Sequence, residues 1–233
     1  MKEDQYVRQA EHWSTTQYAD SEAYLAHRAA LIAGLGAALA PGDTVLDLAC
    51  GDGGLAPHLA LHELRYLGVD ATPAMVEEAR RHGIDAEVGD LNTYAPTEPV
   101  AATTCFRAIY YATDREAFFR HAAGYTTRKL VFDLNPRQFA LATVVAELRA
   151  AGFEDVELRP FFVPQRRALP RPLGRMLVAA EQAGPLARLA LRYRFTYVVA
   201  ASRRDLRAKA TAAEKAEDQQ DEQDDDQDRD DAH

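Results

Sequence analysis

A chain of 233 residues that is 47% hydrophobic and 27% charged has material for one sizeable α/β domain and little for a second. A net charge of −9 argues against a broadly basic nucleic-acid binder, and no apolar run reaches the roughly 18 to 20 residues that cross a bilayer. Two cysteines, Cys50 and Cys105, are too few for a disulfide framework, and "MKEDQYVRQAEHW" lacks the apolar centre of a secretory signal, so a reducing cytoplasm is expected.

The predicted elements begin with a helical segment over residues 3 to 40, where Tyr24, Leu25, Leu31, Ile32 and Leu35 recur at helical spacing. "APGD" (40–43) punctuates, and strands and helices then alternate. "TVLDLA" (44–49) reads as a buried strand, "LAPHLALH" (55–62) as a helix and "RYLGVD" (65–70) as a strand. "TPAMVEEARRHG" (72–83) is a helix with Thr72 as N-cap, Pro73 in its first turn and Gly83 as its stop. Strands follow at "DAEVGD" (85–90) and "AATTCFRAIYY" (101–111). Asp114 caps the helix "REAFFRHAAGY" (115–125), and the strand "KLVFDL" (129–134) leads to the helix "FALATVVAELRAAG" (139–152). Two last strands, "DVELRPFFVP" (155–164) and "YRFTYVVAA" (193–201), flank a long interruption.

This alternation predicts a doubly wound α/β fold: a mostly parallel, seven-stranded sheet with helices on both faces and an antiparallel last strand. Residues 1–40 would form a helical cap, and residues 41–204 the main domain, with a helical insertion at about 166–192. Residues 205–233 would be a disordered acidic tail. Between Lys209 and His233 eleven acids face three Lys or Arg, which leaves residues 1–208 at only −1. Such a run cannot bury a core; it serves as an interaction or solubilising tail, or as a solvated extension without a specific partner.

The densest chemical signal is "VLDLACGDGG" (45–54), a strand running into a glycine turn. In doubly wound sheets, ligands sit beyond the strand carboxyl ends, at the switch point beside the first strand. Gly51 and Gly53 let backbone approach a ligand, Asp70 ends the next strand where a carboxylate can accept ribose hydroxyls, and Asp90 ends the strand after that. A nicotinamide site wants G-x-G-x-x-G around a pyrophosphate. Here Asp47 and Asp52 would repel that phosphate, whereas S-adenosylmethionine (SAM) carries an ammonium and a sulfonium and would be attracted.

"VLDLACGDGG", "LGVDATPAMVEEAR" and "EVGDLNTY" resemble the successive cofactor motifs of class I, seven-strand SAM-dependent methyltransferases, within the small-molecule group that includes the ubiquinone and menaquinone enzymes. The resemblance covers roughly residues 40 to 135. It implies that Asp47 lies near the methionine ammonium and that the turn Ala49, Cys50, Gly51 and Gly53 follows the cofactor. Asp70 would hold the ribose, Ala71 and Met75 would line the adenine, Asp90 would take its amino group, Leu91 would pack on its ring, and Phe106 would flank the cofactor. The chain departs from the pattern at Ala49, where the family has glycine, in lacking an acid at the start of the fourth strand, and at "AAGYTTRK", which replaces the usual turn before the fifth.

Beyond the cofactor motifs, Tyr110, Tyr111 and Asn135 follow strand ends beside the expected transfer point and are the candidate catalytic or substrate-contacting residues; packing or loop capping is the alternative for each. The aromatics Tyr6, Trp13, Tyr18 and Tyr24 either pack the leading helix or form a lid, with Tyr18 or Trp13 against the sulfonium. His12 and His27 could offer a base or lie on the surface. "YTTRK" (125–129) has the Tyr-x-x-x-Lys spacing of short-chain dehydrogenases but spans a helix end and a strand, so it reads as chance. "DLNPR" (133–137) lacks the second proline and aromatic of base-methylating enzymes. No His/Cys/Asp cluster has metal-ligand spacing. Eleven Arg and no Lys between Arg159 and Arg207, mixed with Leu, Val and Met, describe either a packed insertion or an apolar face toward a hydrophobic substrate or a membrane surface.

The implied activity is methyl transfer from SAM to a small-molecule acceptor, with oxygen preferred on family frequency and a hydrophobic natural product or lipid-like compound as the acceptor. An NAD(P)-dependent oxidoreductase and a non-catalytic SAM-binding protein are the alternatives.

Overall fold

The computed structural model describes residues 13–182, 184 and 196–203. The expectations for the first twelve residues (Tyr6 and His12 among them), for the second half of the insertion and for the acidic tail lie outside them.

Two helices lead, α1 (Trp13–Gln17) and α2 (Ser21–Gly34), the latter capped by Asp20, whose carboxylate accepts from the Ala23 N–H. The alternating series then runs β1 (Thr44–Leu48), α3 (Ala56–Ala60), β2 (Arg65–Asp70), α4 (Pro73–Arg81), β3 (Ala86–Val88) and β4 (Val100–Cys105). After a 3₁₀ turn, Ile109–Tyr111, come α5 (Arg115–Tyr125), β5 (Thr126–Leu134), α6 (Leu141–Ala150), β6 (Phe153–Phe161), α7 (Arg171–Glu181) and β7 (Thr196–Arg203). One seven-stranded sheet has the order β3-β2-β1-β4-β5-β7-β6. Only β7 is antiparallel to its neighbours, as the missing crossover before it implied.

The expected fourth strand was too long. It ends at Cys105, because Arg107 adopts φ +56° and turns the chain out of the sheet. "IYY" is therefore helical-turn backbone. Thr72 does precede α4, but its side chain makes no cap bond; Pro73 and Gly83 (φ +74°) carry the two ends.

Strand alternation sorts side chains onto two faces. Leu46 and Leu48 of β1 with Leu130, Phe132 and Leu134 of β5 join the layer under α5 and α6, with Phe118, Phe119 and Leu148. Val45 and Val131 join the opposite layer under α2 and α3, with Ile32, Leu35 and Leu59. That second face also receives the polar residues of the same alternating sets, Asp47, Lys129 and Asp133. Lys129 is fully buried; its Nζ donates to the carbonyls of Leu35 (2.7 Å) and Ala33 (3.3 Å) at the end of α2. Tyr125, its partner in the dehydrogenase-like spacing, has a buried hydroxyl without a hydrogen-bond partner among the described residues.

Burial lowers the Lys129 pKa to about 8. Unfolded chains hold that proton up to about pH 10.4, so folding releases it and stability attributable to Lys129 rises between pH 8 and 10. Lys129→Met removes this rise and leaves two helix-end carbonyls without a donor. Denaturant unfolding should show it destabilised by about 1–3 kcal/mol at pH 7.

Candidate active site

A cavity of about 530 Å³ opens at the carboxyl ends of β1, β2 and β4, where β1 has β2 on one side and β4 on the other. It is lined by Asp47, Ala49, Cys50 and Gly51 from β1 and its turn, and by Asp70, Ala71 and Met75 from β2 and α4. Asp90 and Leu91 line it after β3, Phe106, Arg107, Tyr110 and Tyr111 after β4, and Trp13, Tyr18 and Arg28 from the leading helices.

The glycine turn is held from both sides. Asp70 Oδ2 accepts from the Gly51 N–H (2.9 Å) and Oδ1 from the Thr72 N–H (2.8 Å), so one carboxylate ties the turn after β1 to the turn after β2. Each oxygen keeps a second lone pair for a ligand hydroxyl. Gly51 has φ +61°, and a Cβ there would lie 2.7 Å from the Trp13 indole, so α1 closes directly onto the turn. Ala49 also adopts a left-handed φ of +61°. For a side chain with a Cβ this costs about 1–2 kcal/mol, which places backbone strain in the cavity wall.

Asp47 is buried and accepts from Thr104 Oγ1 (2.7 Å) and Tyr66 Oη (2.9 Å). Burial pushes its pKa up to about 6, against the opposing pull of those hydrogen bonds and of Arg28. Burial likewise pushes the Cys50 thiol up, leaving it protonated, with Sγ toward the Gly51 carbonyl. Asp90 is exposed, its Oδ1 accepting from the Asn92 N–H and side-chain amide, while Met75 and Leu91 present buried apolar surface to the same end of the cavity.

Three expectations need correcting. Asp52 does not line the cavity; it accepts from the Ser14 N–H (2.8 Å), Ser14 Oγ and the Gly54 N–H, so its carboxylate secures α1. Gly53 lies outside the lining as well. Its φ is +74°, and a Cβ would strike Ile84 at 2.8 Å, so its role is close packing on α4 and the loop after it. Asn135 is exposed beyond β5 and does not line the cavity; its Oδ1 accepts from the Arg137 N–H (3.1 Å), the loop-capping alternative.

Sequence reasoning missed Arg28. On α2 it reads as one polar residue of a helix, yet it is 5% exposed and lines the cavity. Its guanidinium lies over Phe106 (4.5 Å) and Tyr24 (4.7 Å), donates to the hydroxyls of Tyr18 and Tyr24, and sits 3.6 Å from Asp133. Tyr18 stacks on Tyr24, which lies behind it, outside the lining. His27 faces away from the cavity; its Nε2 pairs with the buried Glu181 (2.7 Å), whose other oxygen accepts from the Phe162 N–H, fastening α7 to α2. Among the described residues no group of three His, Cys, Asp or Glu could hold a metal ion.

Comparison with known proteins agrees with this geometry. Residues 45–129 match a family described as a methyltransferase domain. The ubiquinone biosynthesis O-methyltransferase of Xanthomonas campestris is 31% identical over 120 residues, 46% of this chain and 50% of that one. The trans-aconitate 2-methyltransferase of Mycobacterium ulcerans is 36% identical over 72 residues, 30% of this chain and 27% of that one. The chain thus spans half or less of these curated relatives. Among solved structures, the Haloferax volcanii methyltransferase in complex with the activator Trm112 superposes with TM-score 0.60 at 19% identity, covering 85% of this chain and 97% of that one. The magnesium protoporphyrin IX methyltransferase of Synechocystis with bound SAM gives 0.52 at 18% identity, with coverages of 77% and 76%. Residues 45–129 thus carry a methyltransferase domain, and the seven-stranded sheet around them is the fold of the SAM-dependent methyltransferases on which the chain superposes.

The residues present suit the cofactor of that class. A buried carboxylate that ionises above about pH 6 (Asp47) and a buried guanidinium (Arg28) line the cavity together, matching the ammonium and carboxylate of a methionine moiety. Replacing Ala49 by glycine removes the left-handed strain, and the variant should unfold at a temperature equal to or a few degrees above the parent. Ala49→Val should lower the melting temperature by several degrees.

Proposed function

We propose that this chain transfers a methyl group from SAM to a small-molecule acceptor, with oxygen as the preferred acceptor atom. The observation that carries the proposal is the single cavity in which Asp47, Asp70, Asp90 and the Gly51 turn meet Arg28 and a mouth of Tyr110 and Tyr111. When bound, SAM supplies a methyl already activated on a sulfonium, so no enzyme nucleophile is required. In this proposal Asp47 and Arg28 bind the methionine end, Asp70 the ribose, and Asp90 with Met75 and Leu91 the adenine. Ala49, Cys50, Gly51 and Ala71 form the floor against which the cofactor lies. Phe106 and Tyr18, with Trp13 above, exclude water and orient the reactive centre; positioning and desolvation are the main catalytic contributions. Tyr110 and Tyr111, half-exposed and 4.4 Å apart between ring centroids, meet the acceptor at the mouth.

The similarity to ubiquinone and trans-aconitate methyltransferases supports a small acceptor and is compatible with oxygen methylation. A lipid-like acceptor, or transient contact with an anionic membrane surface, draws support from α7, where Leu173 and Met176 are exposed beside Arg171 and Arg175.

Calorimetry should give SAM and S-adenosylhomocysteine (SAH) binding with NAD(P)H inert; stabilisation by NAD(P)H alone overturns the proposal. Asp70→Ala should weaken SAM by about tenfold or more, since two ribose hydroxyls and the turn itself lose their acceptor. Because the cofactor-free Asp47 titrates near pH 6, SAM affinity should rise from pH 4.5 to 7 as the carboxylate ionises, and Asp47→Asn should flatten that rise. Co-sedimentation with phosphatidylglycerol vesicles, absent with phosphatidylcholine and lost in Arg171→Gln/Arg175→Gln, tests the membrane contact.

A further inference from the structure

The half of the cavity beyond the cofactor residues is not electrically neutral. The segment after β4 contributes Phe106, Arg107, Ala108, Tyr110 and Tyr111 to the lining, and its one charge is Arg107. The lining acids, Asp47, Asp70 and Asp90, all belong to the carboxyl ends of β1 and β2 and the turn after β3. Of the two lining cations, Arg28 is held by Tyr18, Tyr24 and Asp133 and is assigned above to the methionine end of the cofactor, which leaves Arg107 for the acceptor. The Arg107 guanidinium has no hydrogen bond, ion pair or ring contact with any described residue.

Its placement is enforced. Arg107 holds a left-handed φ of +56°, and its N–H donates to Asp133 Oδ1 while the other Asp133 oxygen faces Arg28. A long side chain in this backbone conformation persists only where the surroundings over-determine it. Here the strain and the Asp133 anchor set an arginine into the cavity wall at the end of β4, next to Phe106 and the two tyrosines. A guanidinium with its donor fork uncommitted to any described residue, in a partly desolvated wall, binds a carboxylate or phosphate in two parallel hydrogen bonds.

We propose that the acceptor is an anionic small molecule whose carboxylate or phosphate is gripped by Arg107, with its ring or apolar body against Phe106, Tyr110 and Tyr111. This rests on the methyltransferase reading. It adds the chemical class of the acceptor: an acid presented with its nucleophilic atom turned away from the gripped group and toward the cofactor half. The grip also sets specificity, because a neutral analogue leaves the arginine desolvated without compensation.

The test is binding to the SAH-loaded protein by calorimetry and thermal shift, using benzoate, benzamide, phenyl phosphate and inorganic phosphate as probes. Benzoate or phenyl phosphate should bind at least about tenfold more tightly than benzamide, and the better of the two identifies the anion. Inorganic phosphate alone separates simple anion capture from recognition of a ring with its acid. Arg107→Gln should lose about tenfold in affinity for the acid and become indifferent to the amide substitution. Arg107→Lys should recover part of the loss, and SAH affinity should stay within about twofold in both. Equal binding of benzoate and benzamide, or no anion binding at millimolar concentration, overturns the proposal. So does a tenfold loss of SAH affinity in Arg107→Gln, which would assign the cation to the cofactor. Failure of the parent protein to bind SAH overturns the methyltransferase reading itself. Circular dichroism of both variants establishes that they are folded.

Discussion

The position of β1 between two parallel neighbours governs the rest of the molecule. Parallel strands need crossover connections, and the order β3-β2-β1-β4-β5 sends them in opposite directions from β1. The loops leaving β1 and β4 therefore diverge and open a crevice between them. The glycine turn, the β2 terminus and the segment after β4 all emerge on its rim because each ends a strand in the same direction. Asp70 converts that proximity into a fixed geometry by accepting from backbone on both sides of β1's neighbouring turns.

Polar groups that would be costly in the interior are gathered on one face of the sheet. Alternation places Asp47 of β1 and Lys129 and Asp133 of β5 on the side covered by α2, and α2 brings Arg28 and its terminal carbonyls to meet them. Each is satisfied: Asp47 by two hydroxyls, Lys129 by two carbonyls, Asp133 by a backbone N–H and a guanidinium. The leading helices are thus structural and functional at once. They close the apolar layer over the sheet, and through Trp13, Tyr18 and Arg28 they complete the cavity. The His27–Glu181 pair extends the same helix's reach to α7.

Much of this was legible in the residues, and the exceptions are instructive. "VLDLACGDGG" ends a strand in a cavity-lining turn, and Asp47, Asp70, Asp90, Met75, Leu91 and Phe106 all reach the cavity because each sits in the last two residues of a strand or within the first turn after it. Asp52 was misread because side-chain direction in a tight turn alternates with backbone dihedrals that composition does not reveal; it turns toward Ser14. Asn135 was misread for a related reason, since β5 ends beyond the crevice and its loop caps itself. Arg28 had no signal at all: its burial arises from Tyr18, Tyr24 and Phe106, and Phe106 is 78 positions away in sequence.

What the sequence by itself determined is the alternating fold and the chemistry of the cofactor end. Period-two and helical apolar spacing follow from local geometry, and three acids at successive strand ends need no tertiary knowledge to be aligned on one rim. Only the tertiary structure decided what the segment after β4 presents to the cavity. Whether an arginine is solvated or built into a wall depends on which distant aromatics surround it and which carboxylate holds its backbone. Asp133, 26 residues beyond Arg107, makes that decision by fixing a strained turn that no local preference would choose.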